Sequence, residues 1–394
     1  MSVSMAELQS LASGFDPIPQ RSFSLPARAY IEPGYLDVER KTIFYKSWQF
    51  VCHASQLANP GDYYALSVQG QSIVVLRDRE GVLQAFYNVC RHRGHELVQG
   101  QGNRKVLVCP YHAWSYQLNG QLFAARRSEM IENFDMGDFC LHSVQIEEFC
   151  SLIFVNLDPT AAPLAEQSGG LADEIRDYAP DMDQLVHAHR LTYHIKANWK
   201  AVIDNFLECY HCPVAHRDFV SLVDMDTYTV TTHGIYSSHM ASAGVQENSA
   251  YNVEEADVQD HAVWWLWPNT CLLRYPGEGN FMVWKMMPVD EETTAETFDF
   301  YFLRNEPTAQ QWEAIEYIND VLQKEDIDIV ESVQRGMKTP AFEQGRFVCE
   351  PEGSGLSEHA VHHFHSVYLQ VINQHINRLE PQMAPAILTN GYHR

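Results

Sequence analysis

Cys90-Arg91-His92-Arg93-Gly94-His95 and Cys109-Pro110-Tyr111-His112-Ala113-Trp114 each set one thiol beside one imidazole on a short turn. Brought together, the two turns offer two sulfurs and two nitrogens. That donor set suits either tetrahedral zinc or a two-iron, two-sulfur cluster with both thiolates on one iron and both imidazoles on the other. Spacing alone does not separate them, although zinc sites more often keep two residues inside each half, and here the first gap is one residue. The flanking residues favour the cluster. Gly94 permits a tight turn, and Pro110, Ala113 and Trp114 can keep water away from the metals.

Around these pairs the chain is β-prone. Runs at 63–68, 72–77 and 82–89 carry strand composition, with Asp78-Arg79-Glu80-Gly81 as the hairpin turn between the last two. Further strands are expected at 105–109, 114–117, 142–147 and 152–156, and Asn119-Gly120 reads as a type I′ turn. Residues 46–155 therefore form an expected all-β domain. Residues 1–45 are an arm leading into a short helix near 36–48. After Asp158-Pro159 the pattern becomes mixed through 156–380, with helices expected at 171–178, 199–212, 309–335 and 361–379. Strands in that region are expected at 191–195, 227–232, 271–275, 281–287 and 297–303, and a loose tail at 381–394. The fold class is α+β.

A second constellation spans Asp204-Asn205-Phe206-Leu207-Glu208-Cys209-Tyr210-His211-Cys212-Pro213-Val214-Ala215-His216. On a continuous helix Asp204, Glu208 and His211 share a face. Pro213 ends or kinks that helix, so a turn can bring His216 back toward His211. Two histidines and one carboxylate make a facial triad for mononuclear non-haem Fe(II), which leaves positions open for dioxygen. The carboxylate is expected from Glu325-Asp326-Ile327-Asp328-Ile329-Val330-Glu331, with Asp326 first and Asp328 second; Glu325 and Glu331 read as solvated helix residues. Cys209 and Cys212 read as local packing residues, and His359, His362, His363 and His365 as members of a packing or subunit-contact helix.

The chain has 394 residues, 27 basic and 51 acidic side chains, and a formal charge of −24. So acidic a chain without a basic block is no nucleic-acid binder. It has no apolar run long enough to span a bilayer and no basic-apolar secretory leader, so a soluble cytoplasmic protein without a membrane partner is expected. Nine cysteines in a chain of this length read as buried thiols or metal ligands rather than a disulfide framework.

With CRHRGH, CPYHAW and NFLECYHCPVAH in one chain, the sequence resembles the oxygenase component of the Rieske non-haem iron oxygenases over nearly its whole length. The resemblance implies a Rieske [2Fe-2S] domain set into a catalytic domain with a helix-covered, helix-grip-like antiparallel sheet. It assigns Cys90, His92, Cys109 and His112 to the cluster, with His95 outside the ligand set, and His211, His216 and Asp326 to the iron. Many members carry an aspartate where Glu208 stands, as the carboxylate bridging one subunit's cluster to its neighbour's iron in a head-to-tail homotrimer. Glu208, with AFYNVCRHRGHEL and EDIDIVESVQRG, looks like the branch that includes the carnitine monooxygenases. That branch implies O2 as co-substrate, a quaternary ammonium substrate, L-carnitine foremost, and trimethylamine and malic semialdehyde as products. N-demethylation of glycine betaine, proline betaine or another betaine is the alternative. NADH or NADPH enters through a separate flavin/iron-sulfur reductase, since this chain shows no dinucleotide fingerprint. The rings in His261-Ala262-Val263-Trp264-Trp265-Leu266-Trp267, with Tyr275, Phe281 and Trp284, are candidates for holding the cation, and Arg274 for pairing with a substrate carboxylate.

Overall fold

The computed structural model describes residues 3–244, 248–253 and 256–383. The tail expected at 381–394 lies outside the described residues from 384 onward, and the last helix, His359–Met383, runs longer than its apolar pattern indicated. No helix among the described residues is long and apolar enough to cross a membrane.

Between residues 49 and 156 the chain is built from small antiparallel sheets. One pairs Gln49–His53 with Leu152–Asn156 and then Gln145–Phe149; another orders Leu83–Tyr87, Gln71–Arg77, Asp62–Val68 and Gln101–Asn103. The third, Leu107–Val108, Ser115–Tyr116 and Leu122–Ala124, forms the tip that carries the second Cys-His pair. The turn at Asp78 forms as its composition indicates: Gly81 sits at φ +83° and the Asp78 carboxylate accepts from the N–H groups of Glu80 and Val82. The turn at Asn119-Gly120 is not type I′. Only Gly120 takes a positive φ (+83°), and a β-carbon there would come within 2.5 Å of the Phe86 ring, so close ring contact as well as φ demands glycine.

The catalytic half is a seven-stranded antiparallel sheet. Its order is Val186–Ile195, Thr293–Phe302, Phe281–Asp290, Thr270–Arg274, Asp260–Leu266, Tyr236–Ser242 and Thr229–His233. Because side chains alternate faces, the sheet has two cores. One face, with Trp265, Cys271, Trp284 and Phe298, packs under the helices and the N-terminal arm. The other, with Trp264, Leu272, Phe281 and Tyr301, packs on Phe50, Phe154 and Ile175. The arm belongs to the helical layer: Tyr30 and Leu25 are buried there, and the Leu25 N–H donates to His365 Nδ1. The β half is pinned to the sheet by Arg190, which pairs with Asp299 and donates to the Tyr64 hydroxyl, and by Lys285, which donates to the Phe50 carbonyl.

Two further helices differ from expectation. The one expected over 199–212 stops at Phe206, and Cys212–Ala215 forms a separate short turn with Pro213 near its start. The one expected over 309–335 is interrupted by a wider π-type turn at Ile318–Leu322, just before the acidic run.

Candidate metal centres and the pocket at the triad

The two Cys-His loops share one backbone design. The Cys90 N–H donates to the His95 carbonyl and the Gly94 N–H to the Cys90 carbonyl; the Cys109 N–H donates to Trp114 and the Ala113 N–H to Cys109. Each fifth residue, Gly94 or Ala113, is left-handed (φ +75° and +58°). The loops thus present both thiols inward, each 2 % exposed, and both imidazoles outward with ring centroids 4.6 Å apart. Trp114 stacks on His92 at 4.8 Å and Tyr111 lies 3.7 Å from His112. The Tyr116 hydroxyl reaches Cys90 Sγ at 3.4 Å and accepts from the Arg91 N–H. His112 Nδ1 is buried without a partner. Two buried sulfurs beside an orphaned imidazole nitrogen fit a group that takes both thiolate and imidazole. His95 is exposed and turned to its own neighbour, with Nδ1 2.5 Å from the Glu96 carbonyl.

The second site is assembled from three places. His211 follows the helix Trp199–Phe206, His216 ends the Pro213 turn, and Asp326 lies on the helix Gln323–Met337. His216 Nε2 lies 3.1 Å from His211 Nε2 and 3.0 Å from Asp326 Oδ1, and the three donor atoms fall within 4.8 Å of one another. Each imidazole is turned by a carboxylate on its other nitrogen. His211 Nδ1 donates to Glu208 Oε1 at 2.5 Å, and His216 Nδ1 to Glu325 Oε2 at 2.9 Å. With both Nδ1 atoms turned to carboxylates, the two Nε2 atoms converge beside a carboxylate oxygen, and a metal cation binding there would take the place of any proton they carry. That is a cation site in donor chemistry, with the carboxylate-histidine arrangement that supports metal ligands. Burial works against charge here, but the hydrogen bonds outweigh it, raising His211 to about 10 and lowering Asp326 to about 2.

Several expectations change. Glu325 is not simply solvated; it orients His216. Asp328 is exposed, and Glu331 accepts from the Lys196 N–H. Asp204, Glu208 and His211 do not share a helix face: Glu208 and His211 lie past its end, and Asp204 instead bonds Tyr30 and His365. Cys209 and Cys212, expected as separate packing residues, are joined as a disulfide. The remaining C-terminal histidines serve the arm and the sheet: His362 stacks on Phe15 and His359 bonds the Val230 carbonyl.

The triad opens on a pocket lined by Phe206, Phe219, Tyr228, Tyr275 and Trp284, with Glu208, Glu296 and His261 also in its wall. Of the rings singled out in sequence, His261, Tyr275 and Trp284 reach it. Trp264 and Phe281 face the other core, and Trp265 and Trp267 pack against Phe364. Arg274 is withdrawn as well, paired with both carboxylate oxygens of Asp181. Phe206, Phe219 and Tyr228 carried no expectation of their own, although Phe206 lies within the Asp204–His216 motif and Phe219 follows it by three residues. Glu296 carried no local signal. It is 2 % exposed, its side chain accepts from Gln323 Nε2 at 2.6 Å, and burial beside Asp326 pushes its carboxyl up to about 8.

Comparison with known proteins agrees with both centres. Residues 47–135 match the Rieske [2Fe-2S] domain and residues 182–374 the ring hydroxylating alpha subunit catalytic domain. The carnitine monooxygenase oxygenase subunit of Escherichia coli (strain K12) is 42% identical over 92% of this chain and 97% of its own length. Choline monooxygenase of Beta vulgaris is 31% identical over 91% of this chain and 80% of its own. Among solved structures, the quaternary ammonium Rieske monooxygenase CntA superposes with a TM-score of 0.86 at 34% identity, covering 94% of this chain and 99% of that one. CntA has also been solved with the substrates L-carnitine and γ-butyrobetaine. The chain belongs to the Rieske non-haem iron oxygenases, as an oxygenase subunit of the monooxygenase type.

Proposed function

We propose that this chain oxidises a quaternary ammonium compound, L-carnitine foremost, with O2 and two electrons drawn from NADH or NADPH through a separate flavin/iron-sulfur reductase. The observation that carries the substrate class is the pocket wall. It combines five aromatic rings with the carboxyl groups of Glu208, Glu296 and Asp326, and among the described residues no lysine or arginine lines it. Aromatic faces attract a quaternary ammonium, which needs no hydrogen-bond acceptor, and a wall without a described lysine or arginine does not repel it; the Glu296 carboxyl, held at about 8, is mostly protonated at neutral pH. Trp284, stacked on Phe298 at 3.8 Å, is a rigid face for such a group.

In this reading Cys90, His92, Cys109 and His112 hold the cluster, and His211, His216 and Asp326 hold the iron. Bound there, the two centres supply electrons and dioxygen activation. The protein's own work is positional. Glu208 and Glu325 fix the imidazole tautomers; the aromatic wall sets the carbon next to nitrogen toward the triad and limits water. Hydroxylation of that carbon lets the C–N bond break, with trimethylamine leaving on the bond's electron pair while the hydroxyl loses its proton and the carbon becomes the aldehyde of malic semialdehyde. Glu208, on a turn at the end of its helix and bonded to His211, serves as the bridging carboxylate between subunits of a homotrimer. The same reading divides the chain into a Rieske domain at 46–155 and a catalytic domain at 156–380 joined by the arm at 1–45.

Turnover by the reconstituted oxygenase and reductase on carnitine, γ-butyrobetaine, glycine betaine and proline betaine tests this directly. Trimethylamine from carnitine is the expected product. Formaldehyde from a betaine instead identifies the N-demethylating alternative.

A further inference from the structure

Two rings of the pocket wall have polar atoms with no partner: Trp284, whose indole N–H is unpaired, and His261, where both nitrogens are. His261, on Asp260–Leu266, is 2 % exposed and lines the pocket, yet neither ring nitrogen has a partner. Its surroundings are aromatic: Tyr275 stacks on it at 5.1 Å and 25°, Tyr228 lies at 5.6 Å, and the Phe219 edge at 5.8 Å. Burial lowers its pKa to about 3, so the ring is neutral and offers one N–H donor and one lone pair. Leaving such a group unpaired costs about 1–3 kcal/mol, which a core position would ordinarily avoid.

The position is as telling as the missing partner. Phe219, whose edge meets His261, comes three residues after His216, and His261 shares the pocket with all three triad residues. The charged alternative, Arg274, is on the neighbouring strand but committed to Asp181. A pocket shaped for a cation cannot hold lysine or arginine without repelling that cation, so a ligand with an anionic end needs a neutral donor. We propose that His261 receives the carboxylate or hydroxyl end of the substrate, its N–H donating to a carboxylate oxygen and its lone pair accepting from a substrate hydroxyl. This rests on the quaternary ammonium reading above. It makes His261 the residue that separates carboxylated substrates from alkylammonium compounds of the same length.

The test uses the trimethylammonium pair γ-butyrobetaine and butyltrimethylammonium, which differ in the carboxylate, titrated calorimetrically into anaerobic holoenzyme. His261→Phe keeps the ring and the stacking but removes both polar atoms; His261→Gln restores a donor. With iron and cluster content unchanged, His261→Phe should weaken γ-butyrobetaine binding about ten- to a hundredfold. The loss for butyltrimethylammonium should be at least about tenfold smaller, and His261→Gln should recover most of the γ-butyrobetaine affinity. In turnover the change should fall on KM rather than kcat. Equal losses for both ligands, or none, overturn the assignment. If His261→Phe loses its metals, the His261→Gln comparison decides. 3-Hydroxybutyrate, which has no ammonium, separates this inference from the substrate reading. If the wild type turns over no quaternary ammonium compound but binds 3-hydroxybutyrate, and His261→Phe does not, the functional reading fails and the His261 assignment stands. Equal binding by both proteins, or none by the wild type, removes it.

Discussion

The loops at Cys90 and Cys109 take their shape from backbone hydrogen bonds between residues four and five apart, whereas His216 meets its carboxylate across 110 positions of chain. One site is a local fold with its imidazoles near solvent; the other exists only once helix, turn and sheet have packed. The difference suits the two tasks. Electrons must enter and leave the first at a surface, while the second must hold a substrate away from water. Local loops tolerate changes in the rest of the protein, but the triad depends on every element that delivers a ligand to it.

The largest effect should therefore come from the triad. Asp326→Ala removes one of three converging donors, and turnover should fall by more than the roughly hundredfold typical of losing an outer partner. Iron content should drop while the visible spectrum of the cluster is retained. Loss of both signals together would mean that the two centres are not independently built. Glu208→Gln should do less. It keeps the shape and can still bond His211, so both centres should load, but product formation should slow by about ten- to a hundredfold, in line with a carboxylate that orients a metal-ligating histidine. Normal turnover in that variant would sink the bridging role.

The same contrast governs what could be read from sequence. The Cys-His loops are legible because their ligands and the turn residues that shape them are adjacent. His211 and His216 are legible because Pro213 announces a turn between them. Asp326 could be picked from its acidic run, but nothing local marked Glu325 as the partner of His216, because that role depends on where the helix lands. The helix expected to continue to 212 ends at Phe206, where Asp204, drawn to Tyr30 and His365, faces away from the site. A tryptophan-rich strand looked like a binding wall, yet alternation sends Trp264 to the opposite core and Trp265 under the last helix. His261, in the same stretch, shows its importance only through the bonds it lacks.

A smaller effect is expected within the cluster loops. The Tyr116 hydroxyl touches Cys90 Sγ and the Arg91 N–H, and hydrogen bonds to sulfur help set the potential of an iron-sulfur centre. Tyr116→Phe should lower the reduction potential by about 50 mV, close to a tenfold change in the one-electron equilibrium. Iron in the triad should be unaffected, and protein-film voltammetry checks the shift.

The finest comparison lies between the two loops themselves. Gly94 and Ala113 occupy equivalent positions, both left-handed, but only one is glycine. A β-carbon at Gly94 would meet no atom within 4 Å, so Gly94→Ala introduces backbone strain without a clash, at a cost of about 1 kcal/mol. Ala113→Gly relieves the matching strain but adds chain entropy in the unfolded state, two terms of about the same size that oppose each other. Thermal melts of the cluster-loaded protein should therefore show a lower midpoint for Gly94→Ala and almost none of that change for Ala113→Gly. A shift of equal size and opposite sign in the two variants would mean that φ alone governs both loops. A fall in both would show instead that the Ala113 methyl packs in place beside Trp114, and that the second loop relies on its side chains where the first relies on its backbone.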